Sequence, residues 1–188
     1  MGSTCCGQAL SSLPGIPSET DVLDNLPMAE ERLWKMAFLR LDPENTGMIA
    51  TGYSLLRSYL SDATTLGSDL DVLERVLVVR SRNGFLDYGT FVHILKEFTF
   101  DDTDAIMLFQ SLASGEEQIE STHVRSGLLG IGQTRLGATG FSADLWDSVL
   151  NVVMQDADFM VDMENWVGLC KTFARYVRAL KQQRQPVL

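Results

Sequence analysis

The stretch "LDPENTGMIATGY", residues 41–53, decides how the chain folds. Asp42, Glu44 and Thr46 place side-chain oxygens at alternate positions, Gly47 permits a sharp turn, and Ile49 is the apolar centre of a briefly extended run. That alternation is how a loop of about twelve residues wraps a hard cation, which takes about six to eight oxygens. The loop is incomplete, because Ala50 stands ninth and Tyr53 twelfth, where a two-oxygen glutamate belongs. Before it, "AEERLWKMAFLRLD" (29–42) repeats Leu33, Met36, Ala37 and Leu41 at helical spacing; after it, "SLLRSYL" (54–60) resumes that spacing. The reading is helix, loop, helix.

The same shape returns. "SDLDVLERVLVV" (68–79), with Ser68 and Asp71 in capping-box relation, meets the turn "RSRNG" and continues as "FLDYGTFVHILKEF" (85–98). A third unit runs "DDTDAIMLFQSL", "ASGEEQIES", "THVRSGLLGI" (101–131). The fourth runs "SADLWDSVLNVVMQ", "DADFMVD", "MENWVGLCKTFARYVRAL" (142–180). Their equivalent apolar positions are Ile49, Leu86, Ile119 and Val161, with Phe91 and Trp166 starting two of the outgoing helices.

Helix, loop and helix at this spacing resembles the EF-hand. Four units over about residues 28 to 180 resemble the calmodulin superfamily, and are most similar to calcineurin B and the neuronal calcium sensors. The resemblance implies an all-α fold of two lobes, 28–98 and 99–185, each a pair of units joined by a short β bridge. Ile49 is then expected opposite Leu86, and Ile119 opposite Val161.

Loop chemistry departs from that family. The second loop, counted from Val79, offers Ser81, Asn83, Asp87 and Thr90 but carries Arg80 and Arg82, which repel a cation. The third is one residue short, counted from Phe109 to Ile119, and ends at His123. The fourth, counted from Met154, offers Asp156, Asp158, Asp162 and Asn165, with Phe159 replacing the turn glycine. Every loop lacks the twelfth-position glutamate, so no tightly held cofactor is expected. Weak Ca²⁺ or Mg²⁺ sites are confined to Asp42, Glu44 and Thr46 in the first loop and Asp156, Asp158 and Asp162 in the fourth.

The opening "MGSTCC" places Gly2 where N-myristoylation requires it, with Cys5 and Cys6 positioned for S-palmitoylation, although Cys6 stands where the usual pattern has Ser or Thr. A single myristoyl chain binds membranes only reversibly, and adjacent acylated cysteines would supply the second anchor. Residues 1–27, rich in Gly, Ser and Pro, read as a tether. No apolar run approaches the length of a membrane span, so the expected location is cytoplasmic, peripheral on the cytoplasmic face of a membrane.

A net charge of −10 over 188 residues argues against nucleic acid as a partner. Eight Met and nine Phe suit a surface that accepts an amphipathic helix of a protein target. Lys171, Arg175, Arg178, Lys181 and Arg184, spaced by 4, 3, 3 and 3, form a basic helix face that could meet anionic lipid, a negative partner, or solvent near the helix C-terminus. The helix carrying them is longer than an outgoing helix needs and is expected to fill part of its own groove. "GLLGIGQT" (127–134) has phosphate-loop glycine spacing, but Gln133 replaces the lysine and the preceding segment is helical. His93, His123 and Cys170 have no partners at ligand spacing.

The expectation is a membrane-tethered, non-enzymatic adaptor or regulatory subunit that binds a helical target without tight calcium. A low-affinity calcium sensor using loop one or four, and a structural component of a membrane-associated cytoskeleton, are the alternatives.

Overall fold

Helical runs carrying apolar residues on one side must bury that side, and the short extended segments between them are too brief to form a layer of their own. The result, in a computed structural model that describes residues 26–155 and 160–184, is a mostly helical protein with two small sheets. The first half contains α1 (Leu26–Leu41), β1 (Met48–Ala50), α2 (Ser54–Ala63), a 3₁₀ turn (Thr65–Ser68), α3 (Leu70–Arg80), β2 (Phe85–Asp87) and α4 (Tyr88–Glu97). The second contains α5 (Asp102–Ala113), β3 (Gln118–Glu120), α6 (Ser121–Thr134), α7 (Ala143–Val153), β4 (Met160–Asp162) and α8 (Met163–Arg184).

β1 and β2 pair antiparallel with Ile49 opposite Leu86, and β3 and β4 with Ile119 opposite Val161. Each strand has three residues and buries only its central one. Such a ribbon is held by its central apolar pair and the helices beneath, not by its own hydrogen bonds.

Local chemistry starts several helices. Asp69, Asp87, Asp101 and Ser142 cap α3, α4, α5 and α7 by accepting from main-chain N–H groups, each cap contributing about 1 kcal/mol. The cap of α3 is therefore Asp69 and not Ser68, which lies in the preceding 3₁₀ turn.

Two cores form. Phe38, Leu56, Leu73, Leu86 and Phe91 centre the first, with the rings of Phe38 and Phe91 edge to face at 5.6 Å. Trp146, Trp166 and Phe173 centre the second. Leu26, fully buried, belongs to the second core with Ala29 packed against it, while Phe38 and Leu41 of α1 belong to the first. Leu26 and Pro27, which composition placed in the tether, form the first turn of α1, and residues 1–25 lie outside the described residues. Helix α1 thereby reaches both cores.

Helix α8 is the second connection. From Trp166 to Gln182 every residue except Gly168 is at least half-buried. Its first part fills the second core with Trp166, Cys170, Phe173, Ala174 and Val177. Its last turns lie against α1, α2 and the end of α4, where Ala179 and Gln182 line a small cavity with Trp34, Tyr59 and Leu95. A helix enclosed on nearly every side acts as a shared core element.

Candidate functional site

Loop one is the best preserved of the four, and its geometry is set by Asp42. This carboxylate, only 5% exposed, ends α1 and turns back over the loop. Its Oδ1 accepts from the Thr46 amide and hydroxyl, each at 2.9 Å, and its Oδ2 accepts from the Gly47 amide at 2.6 Å. Asn45 and Gly47 take positive φ of 52° and 78°, which lets both amides point inward at the carboxylate. Burial pushes the Asp42 carboxyl upward, but the hydrogen bonds from Thr46 and Gly47 prevail and hold it below the usual carboxylate range. The Thr46 hydroxyl sits between Asp42 and the Met48 carbonyl. Glu44 is exposed.

Loop two is a tight hairpin and not a liganding loop. Arg82 and Phe85 exchange two main-chain hydrogen bonds, at 2.9 and 3.0 Å, across Asn83 and Gly84. Their φ values, 54° and 79°, are the pair that a two-residue type I′ turn demands. Asp87, offered by spacing as a ligand, caps α4 through the Thr90 amide at 2.7 Å. The bonds from Thr90 hold its carboxyl below the usual range against the opposing effect of burial.

Loop three turns through Ser114 and Gly115, with φ of 51° and 99°, and leaves Glu116, Glu117 and His123 exposed. In loop four, Asp156 and Asp158 lie outside the described residues. Asp162 accepts from the Asn165 amide at 2.9 Å at the start of α8. Among the described residues, no group of three or more His, Cys, Asp or Glu side chains is gathered as a metal set would be.

The basic residues of α8 find partners inside the molecule. Lys171, Arg175, Arg178 and Lys181 are partly buried, and each meets a partner on another helix or helix end. Lys171 Nζ pairs with Asp102 Oδ1 at 2.7 Å, in the first turn of α5. Arg175 Nε pairs with Glu30 Oε1 of α1 at 3.1 Å. Arg178 donates to the Asp62 carbonyl at 3.0 Å and the Thr99 carbonyl at 3.3 Å, so one guanidinium caps the C-terminal ends of α2 and α4. Lys181 Nζ donates to the Leu136 carbonyl at 2.7 Å, just past the end of α6. The basic face is a clasp that gathers helix ends from both halves. The Arg184 side chain lies outside the described residues.

Glu30 is the buried member of this clasp, 5% exposed. Desolvation raises its carboxyl above the usual range, and the attraction of Arg175 offsets that only in part. Tyr59, beside the same seam, is pushed up to about 12 by burial. Spacing alone gave no sign that Glu30 would meet Arg175, 145 residues away.

The glycine-rich "GLLGIGQT" lies within α6, and two of its three glycines, Gly127 and Gly132, serve packing. A Cβ on Gly132 would stand 2.4 Å from Trp146 Cη2, and one on Gly127 would stand 2.8 Å from Trp166 Cη2. Trp166 is further fixed by its indole N–H, which donates to the Ala105 carbonyl at 2.8 Å. Cys170 is a buried free thiol whose ionisation burial pushes well up, which makes it unreactive.

Two of the open depressions among the described residues have an apolar wall. One, about 660 Å³, lies between α6 and α7 over Leu129, Phe141, Trp146 and Leu150, with Arg125 and Asp147 paired at 2.8 Å on its rim. The other, about 720 Å³, lies along the seam between the halves. Among the described residues no helix is long and apolar enough to cross a membrane. The acylation candidates Gly2, Cys5 and Cys6 lie outside the described residues. No protein-family model matches the chain.

Proposed function

We propose that the chain is an EF-hand-like, non-enzymatic adaptor or regulatory subunit. In this reading it is held at a membrane through acyl groups on Gly2, Cys5 and Cys6, and engages an amphipathic helix of a protein target without tight calcium. The observation that carries the proposal is the state of loop one. Its one buried carboxylate, Asp42, already takes three donors from its own loop, and Tyr53 occupies the position that should complete a cation shell.

The loops keep their turns and their paired central residues for a structural reason that does not involve an ion. Ile49 against Leu86 and Ile119 against Val161 tie unit to unit, and capping aspartates absorb the carboxylates that spacing would assign to a metal. The groove between α6 and α7 supports the target-binding part of the proposal, with Leu129, Phe141 and Trp146 as an apolar floor within a polar rim that includes Arg125, Gln133 and Asp147.

Titration calorimetry of the purified chain with Ca²⁺ tests the calcium-independent part; binding at micromolar Kd or tighter would reject it. For the tether, Gly2→Ala should move the protein from the membrane to the soluble fraction, and an unchanged distribution would remove the anchor.

A further inference from the structure

The seam crevice has an uneven chemistry that the clasp does not require. Its wall on the α1 and α2 side is apolar, formed by Leu33, Met36 and Tyr59, and Met36 is 47% exposed. Its rim is cationic: Arg40, Arg135, Arg178 and Lys181 line it, against one acidic lining side chain, Asp62. Arg178 and Lys181 hydrogen-bond main-chain carbonyls, so their charge is not cancelled by a bonded carboxylate. Arg40 and Arg135 are exposed, and Arg135 reaches its nearest carboxylate, Asp104, only at 3.9 Å. Four clustered cations make this crevice locally positive on a chain of net charge −10.

We infer that this crevice binds a single-chain amphiphile with an anionic head group, the alkyl chain against Leu33, Met36 and Tyr59 and the head group at Arg40 and Arg135. Charge complementarity chooses the head group, and the apolar wall chooses the tail. At about 720 Å³ the space falls within the range of small-molecule sites. The inference stands apart from the adaptor proposal, since it rests only on the seam.

The test is calorimetric titration of the full, non-acylated chain with dodecyl phosphate below its micellar concentration. Inorganic phosphate, dodecyltrimethylammonium and an acidic amphipathic peptide serve as parallel probes. Dodecyl phosphate should bind saturably with one-to-one stoichiometry, while inorganic phosphate and the cationic amphiphile should not. The double variant Arg40→Gln/Arg135→Gln changes only exposed side chains and should weaken binding about tenfold, as expected for two exposed charge contacts. Met36→Glu, which sets a carboxylate beside the tail, should weaken it further, with the melting temperature of both variants unchanged. Equal affinity for the cationic amphiphile, or unaltered binding by the double variant, would overturn the assignment. So would peptide binding that dodecyl phosphate does not displace, or self-association at the seam without amphiphile binding.

Discussion

Two alanine substitutions in α6, two residues apart, should move stability in opposite directions. Replacing a helix-interior glycine by alanine ordinarily stabilises by about 0.5–1 kcal/mol, because alanine loses less backbone freedom on folding. At Gly130 nothing lies within 4 Å of the added Cβ, so that gain should appear in full. At Gly132 the Cβ would sit 2.4 and 2.6 Å from two ring atoms of Trp146 and 3.1 Å from Phe173. The Trp146 ring cannot swing away cheaply, because it packs on Phe141 at 4.9 Å and on Phe173 at 6.0 Å between centroids. Overpacking of this kind costs about 1–3 kcal/mol, so Gly132→Ala should be destabilised by about 1–2 kcal/mol after the propensity gain is counted. For a chain of this size, 1 kcal/mol moves Tm by about 2–4 °C. Urea denaturation followed by tryptophan fluorescence reads the effect as a shift in midpoint at constant slope. If Gly132→Ala stabilises as much as Gly130→Ala, the close approach of α6 to Trp146 is wrong, and with it the packing account of "GLLGIGQT".

Three further outcomes follow from the clasp and the caps. Arg175→Met leaves Glu30 buried without its partner and should cost about 3–5 kcal/mol at neutral pH. In that variant the folded carboxyl holds its proton to a higher pH than the unfolded one. The loss should therefore shrink as pH falls toward the ordinary value of 4.5, and a deficit flat between pH 7 and 5 would refute the assignment. Asp42 and Asp87 have folded values below the ordinary 3.8, so their contribution is complete above that value and is lost as pH falls through the folded value. The double Asp→Asn variant should flatten this acid limb in pH-dependent melting, and an unchanged limb would exclude them as its source. Trp166→Phe removes the indole donor from the Ala105 carbonyl, which lies within the helical ladder of α5, for a loss of about 0.5–1.5 kcal/mol in chemical denaturation.

Local spacing carried much of the architecture. Ile49, Leu86, Ile119 and Val161 each stand as the apolar residue between a turn and an outgoing helix, and their strands need one buried side chain apiece, so the sequence was enough to pick them out. Asn83-Gly84 is likewise a hairpin signal in its own right. Helical spacing placed the helices because an amphipathic run has the same period wherever it packs.

What spacing leaves open is which surface a side chain faces once the helices assemble. The basic residues of α8 form a face on paper that looks like a surface, because periodicity separates charge from apolar residues but not inside from outside. Only assembly brings Glu30, Asp62, Thr99, Asp102 and Leu136 around that helix and turns the face into a clasp. The glycines of α6 likewise gave phosphate-loop spacing in sequence, but in space Gly127 and Gly132 are tryptophan seats, since the rings they admit come from α8 and α7. In loop one the sequence alone established the turn, the missing twelfth carboxylate and the position of Asp42. That Asp42 is already satisfied by Thr46 and Gly47 depended on the positive φ of Asn45 and Gly47, a matter of three-dimensional backbone geometry.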